Sequence, residues 1–305
     1  TSRGLGDVYK RQELERSGYI PNMAAILLAR NNSRIIGVVV NDNEKYEGRV
    51  LEDGFVMASI NALSHGVNEK GYFLMIKTTS DISEIPVFAS MWNMDGLILM
   101  GFCEADYEKL RNQMRISFVV YDGYFEKCSK VVNLVINHYD GGYQAGRYFR
   151  ELGHKKALCI ADNFICMDKE RIEGFSEAFG PGETLRWKIP RTEKERMRFY
   201  EDKYQALLEK NVTAVFAVSD FYALEFMRFL QGKNIRIPKD IQIIGFDDNM
   251  ASRESHPSLT TIHQEASLRA ETAIKCLEAM RDGAECETKI VLPVELIKRE
   301  STGEL

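Results

Sequence analysis

The chain has 305 residues, of which 45% are hydrophobic and 28% charged. These ordinary globular values exclude wholesale disorder and fibrous repeats, and they fit one bilobed domain or two smaller ones. The net charge of −5 speaks against a nucleic-acid binder taken as a whole, and no apolar run reaches the roughly eighteen residues a membrane span needs. The charge is uneven, however, with a net +3 in residues 1–34 and −8 in the remainder. A basic leader on an acidic body can be a polyanion-facing arm, and a surplus of three charges can equally be chance.

In chain order, Ile35–Val40 is a continuous β-branched apolar run, the mark of a strand buried on both faces. A helix is predicted over Val50–Lys70, ended by Gly71, then strands at Tyr72–Ile76 and Asp95–Met100, a helix near Ala105–Gln113 and a strand at Ile116–Tyr121. The series restarts with a strand at Val131–Ile136, a helix at Gly142–Leu152 and a strand at Ala157–Ala161. Helices follow at Arg171–Phe179 and Lys194–Lys210, then a strand at Ala214–Val218, a helix at Tyr222–Leu230 and a strand at Ile241–Phe246. The tail adds a strand at Leu259–His263, a helix at Leu268–Met280 and a single strand at Lys289–Ile297. Such alternation implies two doubly wound α/β lobes of parallel sheet, with a crevice at the carboxyl ends of the strands.

The six cysteines, Cys103, Cys128, Cys159, Cys166, Cys276 and Cys286, form no CxxC pair and have no histidine at ligand spacing. No metal, no cofactor and no disulfide framework is therefore assigned. Free thiols, and the lack of a secretory signal in Thr1–Gln12, make the cytoplasm the expected location. Enzyme signatures are missing too: there is no G-x-G-x-x-G after the first strand, no P-loop and no G-x-S-x-G elbow. Gly141, Gly142 and Gly146 open a helix without the dinucleotide spacing, and catalysis is not expected.

The strand ends carry polar and aromatic residues instead. Asn41-Asp42-Asn43 with Tyr46, then Asp122, Ser219-Asp220-Phe221 and Asp247-Asp248 each follow an apolar run. Planar carboxylate acceptors beside ring faces suit a small hydroxyl-rich ligand. The competing reading is that an Asp after a strand merely caps the next helix, and Asp220 is the foremost candidate for that.

Ser17-Gly18-Tyr19-Ile20-Pro21-Asn22-Met23-Ala24-Ala25-Ile26-Leu27-Leu28-Ala29-Arg30 reads as a short helix begun at Pro21-Asn22 and running straight into the first strand. By itself it can be an amphipathic helix packed on the body. It resembles the hinge of the LacI/GalR family of bacterial transcriptional regulators, with its G-Y-x-P-N-x-x-A-x-x-L pattern. The resemblance continues in family order. Asp95–Leu99 is similar to its D-G-[IL]-I strand and Val120–Asp122 to its V-x-D. Asp140 to His154 follow its D…G…L-G-H stretch, Arg171–Phe175 its R-x-x-G-F, Phe246–Asp248 its F-D-D and Leu259–Gln264 its L-T-T-[IV]-x-Q.

The resemblance implies two lobes of the type I periplasmic-binding-protein kind preceded by a hinge helix. It places a helix-turn-helix remnant and the hinge in 1–33, the first effector lobe in 34–136 and 265–288, and the second in 137–264 and 289–305. It carries effector contacts to Tyr46, Asp122, Arg171, Ser219, Phe221 and Asp247. A DNA-facing hinge falls on Tyr19, Pro21, Asn22, Ala25, Leu28 and Ala29, with Leu28 wedging a base step in the minor groove. Ser219 departs from the family's usual asparagine, so the effector need not be one of its better-known sugars. Only some eighteen residues precede the hinge, and Thr1–Gln12 fits no part of the family's DNA-reading domain. This chain is therefore expected to bind operator poorly without a recognition helix, whatever its full-length parent does.

The expected function is a ligand-responsive transcriptional regulator, a repressor acting as a homodimer, with a sugar or sugar derivative as effector, operator DNA as the parent's partner and no membrane contact. The alternative on the same fold is a solute-binding receptor for a sugar import system, which needs export.

Overall fold

The computed structural model describes residues 16–17, 33–102, 110, 113–124, 130–180 and 184–303. The hinge residues Tyr19 to Ala29 and most of the helix expected near Ala105–Gln113 lie outside the described residues.

The chain runs β1 (Ile35–Asn41), α1 (Gly54–Glu69), β2 (Phe73–Thr79), α2 (Glu84–Met91), β3 (Gly96–Met100), β4 (Phe118–Tyr121) and β5 (Val131–Ile136). It continues with α3 (His138–Glu151), β6 (Ala157–Ala161), α4 (Cys166–Phe179), β7 (Thr184–Lys188), α5 (Glu193–Glu209), β8 (Ala214–Ala217) and α6 (Asp220–Gly232). It ends with β9 (Gln242–Asp247), α7 (Met250–Glu254), β10 (Thr260–His263), α8 (Ala266–Arg281), β11 (Lys289–Leu292) and β12 (Glu295–Ile297).

These strands make two six-stranded sheets, in the orders β11-β5-β4-β3-β1-β2 and β12-β10-β9-β8-β6-β7. Every pairing is parallel except the edge pair β10–β12. Helices cover both faces of the first sheet, as the period of its strands dictates. Ile36, Val38 and Val40 of β1 pack beneath α1 and α8, whereas Ile35 and Val39 face the layer holding α2. The second sheet encloses one larger cluster that includes the stacked rings of Phe175 and Phe216.

In the first sheet β1 lies between β2 and β3, and in the second β6 lies between β7 and β8. Strand order therefore reverses at the carboxyl ends of β1 and β6, where doubly wound sheets bind ligands.

Three details correct the sequence reading. Lys289–Ile297 is two strands, not one: β11 pairs with β5 in the first sheet and β12 with β10 in the second. Lys289–Leu292, expected in the second lobe, thus belongs to the first sheet. Pro293 breaks the run because it has no N–H for a ladder. Gln144 anchors the crossing, donating to the Val294 carbonyl at 3.1 Å and accepting from Leu296 N–H at 2.9 Å. Asp220 is not the helix cap: Ser219 Oγ accepts from Tyr222 N–H at 3.4 Å, and Asp220 opens the helix behind it. Finally, α2, α7 and β7 join the predicted elements.

The chain passes between the sheets after β5, after β10 and between β11 and β12. The first two passages carry the site described next.

Candidate functional site

The turn after β1 is shaped by Asn43, whose Oδ1 accepts from Lys45 N–H at 3.1 Å and closes a single helical turn, Glu44–Tyr46. Glu47 (φ 50°) and Gly48 (φ 79°) then reverse the chain. This places Lys45 and Tyr46 against the start of α6 in the opposite lobe. The Lys45 ammonium lies 5.0 Å from the Tyr46 ring centroid, 5.2 Å from that of Phe221 and 4.7 Å from that of Tyr222. The lobes also meet where Glu193 N–H donates to Glu47 Oε1 at 3.3 Å and where Arg191 stands 3.7 Å from Glu44. Tyr124 OH donates to Glu170 Oε1 at 3.3 Å, and a Cβ on Gly54 would come within 2.7 Å of the Asn249 side chain.

Below this rim runs a polar chain through the crossovers. Arg171 Nε donates to Nδ1 of His138 at 3.1 Å, so that nitrogen is the acceptor and Nε2 carries the proton. Nε2 in turn donates to Asp122 Oδ1 at 2.8 Å. Arg269 Nη2 pairs with the same Oδ1 at 2.7 Å and donates to the Leu134 carbonyl at 3.0 Å. Its Nη1 donates to Gln264 Oε1 at 2.9 Å, and Gln264 Nε2 donates to Asp247 Oδ1 at 2.9 Å. The line therefore runs Arg171–His138–Asp122–Arg269–Gln264–Asp247, from one lobe through the other and back. Arg171 is further held by the Val218 carbonyl and by the Phe246 ring, whose centroid is 3.6 Å from its guanidinium carbon. A desolvated contact of that kind contributes about 2 kcal/mol.

Local packing explains how Arg171 and His138 come together. A Cβ on Gly142 would lie 1.9 Å from the Arg171 carbonyl oxygen, and one on Gly174 2.0 Å from that of Tyr139. The two glycines therefore let α3 and α4 touch backbone to backbone, and the Gly141–Gly146 stretch serves packing. Asp122 (φ 55°) and Asp247 (φ 124°) both end their strands with positive φ, a strained geometry that clusters at functional sites.

The electrostatics follow from this geometry. Burial alone would raise the Asp122 pKa, but Arg269 and His138 hold it far below the usual carboxylate range. Burial pushes His138 down to about 4 against the pull of Asp122, so the ring is neutral at pH 7. Burial raises Asp168 to about 6 against the nearby Arg171. It also raises Asp247 well above the ordinary carboxylate value, Arg171 opposing and Asp220 adding to the rise. Lys45 goes the other way from what burial dictates, raised by Tyr46, Tyr222, Asp53 and Asp162.

Of the six effector residues predicted, Tyr46 and Phe221 meet around Lys45, while Asp122, Arg171 and Asp247 share the polar chain. Ser219 sits at the same strand ends, and its hydroxyl caps α6. The two acids of the F-D-D motif separate in role. Asp247 accepts from Gln264 in the polar chain, whereas Asp248 is tied to His263 Nδ1 at 2.8 Å, to Arg253 at 2.9 Å and to Arg299. Lys45, Tyr222, His138, Gln264 and Arg269 were missed. Lys45 adjoins Tyr46, but nothing in the sequence tells that its ammonium turns inward. His138, Gln264 and Arg269 are brought to Asp122 by the crossovers, from 16, 142 and 147 residues along the chain. Asp42 Oδ1, the Tyr121 and Tyr222 hydroxyls and Arg269 Nε are buried with no hydrogen-bond partner among the described residues. Those are groups a polar ligand can satisfy.

Comparison with known proteins agrees with this architecture. The HTH-type transcriptional repressor PurR of Vibrio cholerae serotype O1 is 27% identical over 96% of this chain and 88% of its own length. The HTH-type transcriptional regulator DegA of Bacillus subtilis is 28% identical over 96% and 88%. Among solved structures, the lac repressor dimer bound to operator and the anti-inducer ONPF superposes with a TM-score of 0.78 at 21% identity, over 95% of this chain and 88% of that one. The CelR–cellobiose complex gives 0.74 at 21% identity, over 96% and 89%. The periplasmic binding protein-like domain matches residues 147–302, more than half of the sequence. By that match, which agrees with its two parallel-sheet lobes, the chain belongs to the periplasmic-binding-protein-like family.

Proposed function

We propose that this chain is the effector-binding core of a LacI/GalR-type transcriptional repressor. A sugar or sugar derivative occupies the cleft between the lobes, in contact with Tyr46, Phe221, Arg171, Asp247 and Asp122. The observation that carries this is the polar chain from Arg171 to Asp247, which ties the second-lobe strand ends to Asp122 of the first lobe through two crossovers. A ligand competing for these groups changes how the lobes sit on one another, and it shifts the equilibrium only by its differential affinity for the two arrangements. In a homodimer that change reaches the hinge at Tyr19, Pro21, Asn22, Ala25, Leu28 and Ala29, and so the operator. The protein works in the cytoplasm because its target is DNA, and no reaction is assigned to the cleft. The relatives favour this over an import receptor, since PurR and DegA are named as an HTH-type transcriptional repressor and an HTH-type transcriptional regulator.

The test is a fusion of the chain behind a complete LacI-type helix-turn-helix domain, read on a reporter carrying that domain's operator. Repression that a sugar relieves or strengthens supports the reading. A fusion that represses identically with and without every sugar that binds the isolated chain overturns it.

A further inference from the structure

The Lys45 ammonium sits inside a cage of three rings, Tyr46 from its own lobe and Phe221 and Tyr222 from the other. Three faces at 4.7 to 5.2 Å around one ammonium are the geometry by which proteins recognise amines, each ring presenting its negative face to the charge. Lys45 has no carboxylate within ion-pair distance among the described residues, and its nearest neighbours are the three rings and the Tyr46 hydroxyl. The Tyr222 hydroxyl beside it is almost wholly buried and has no partner among the described residues. The carboxylates acting on the ammonium from outside the cage are Asp53, Asp162, Asp168 and Asp247, while the Arg196 guanidinium, paired with Glu225, lies 5.3 and 5.5 Å from the Phe221 and Tyr222 centroids. A second anion brought here would meet like charge, whereas a cation meets opposite charge and three ring faces.

We propose that the Tyr46–Phe221–Tyr222 cage is an ammonium subsite of the effector cleft, that Lys45 fills it when no effector is bound, and that the effector which displaces Lys45 carries a primary amine, as a hydroxylated amine or amino sugar does. This rests on the cleft being the effector site and adds the chemical class of its ligand. Lys45 stands on a single turn between Asn43 and Gly48, so its side chain can leave without disturbing a core strand. Two of the three rings belong to the far lobe, so the same contact helps hold the lobes together. A ligand that evicts Lys45 must replace that contact or let the lobes part.

The experiment uses Lys45→Ala and n-propylammonium chloride, the portion of the side chain removed, with 1-propanol as its uncharged counterpart and sodium chloride as ionic control. Saturable stabilisation of Lys45→Ala by n-propylammonium, a Tm rise of roughly 2–4 °C at saturation, is expected. Neither 1-propanol nor sodium chloride should match it, and the wild type, whose cage is filled, should respond far less. An equal response to the alcohol, no response, or an equal response of the wild type overturns the proposal. Lys45→Met, which keeps the stem and removes the charge, should melt below the wild type, and an unchanged Tm overturns the cage as well. The ligand class is read on the wild type by titrating D-glucosamine against D-glucose and D-galactosamine against D-galactose. At least tenfold preference for the amine in a pair supports it, and a hydroxyl member bound as tightly overturns it. The propylammonium readout needs neither sugar nor operator, so failure of the cage leaves the sugar-effector reading standing, and failure of that reading leaves the cage measurable.

Discussion

Arg171 and His138 fix each other: the arginine Nε–H donates to the imidazole Nδ1 at 3.1 Å, which obliges Nε2 to carry the proton it gives to Asp122. One contact thereby sets the tautomer of a buried histidine and the orientation of a buried arginine. It also joins the second lobe to the first at the passage after β5.

Replacing His138 by alanine leaves the Arg171 Nε without this acceptor and removes one of two donors to Asp122 Oδ1. Breaking one member of a buried charged network costs about 3–5 kcal/mol. Denaturant unfolding should show a loss of that order with an unchanged m-value, and a loss under 1 kcal/mol would place the histidine outside the network.

Asp168 supplies a pH test. Its folded pKa is pushed up to about 6 by burial, whereas the unfolded value is about 3.9. Between about pH 4 and pH 6 the folded state therefore holds more protons, and stability contributed at this site falls as the pH rises. Asp168→Asn resembles the protonated acid and escapes the fall. The variant should gain on the wild type by about 3 kcal/mol across that window, measured as the difference in unfolding free energy at each end. A difference that stays flat or runs the other way contradicts the assignment.

The contact of α3 with α4 predicts the effect of adding one methyl group. In Gly174→Ala the new carbon would lie 2.0 Å from the Tyr139 carbonyl oxygen, a backbone atom that cannot swing away. Overpacking of this kind costs about 1–3 kcal/mol or more. Because the displaced helix carries Arg171, sugar affinity should fall along with Tm, and a variant that melts like the wild type contradicts the close contact.

Ser219 separates capping from binding. Its Oγ accepts from Tyr222 N–H at the start of α6, and losing such a cap costs about 1 kcal/mol. Ser219→Ala should lower stability by that amount, and Ser219→Asp, another good cap, should restore it. If stability is unchanged in Ser219→Ala, the hydroxyl is free for ligand and its capping role is wrong.

Much of the fold was legible because its inner strands are buried on both faces. Val131–Ile136 and Ala157–Ala161 were bounded to the residue, since a continuous apolar run has no competing period. The misses lie where burial is one-sided. Thr184–Lys188 is an edge strand with Arg186 and Lys188 exposed, and Glu84–Met91 contains Pro86 near its start. The break at Pro293 was written in the sequence, but its consequence, a change of sheet, depends on Gln144 some 150 residues away. The candidate site divides likewise. Tyr46, Asp122 and Asp247 could be picked out as candidates because each follows a readable strand. Ser219 became a candidate for the same reason, although its hydroxyl turns back to cap a helix. His138, Gln264 and Arg269 sit where the chain changes lobes, and only the three-dimensional path brings them to Asp122.

A small ligand held between the lobes must depend on residues from both. This dependence is read by a thermal-shift titration with the sugar that most stabilises the wild type, repeated on Asp247→Ala and Phe221→Ala. Loss of at least tenfold in affinity in both variants, each still folded by circular dichroism, is the predicted result. A shift that survives undiminished in both would contradict binding between the lobes, because the ligand would then be held elsewhere.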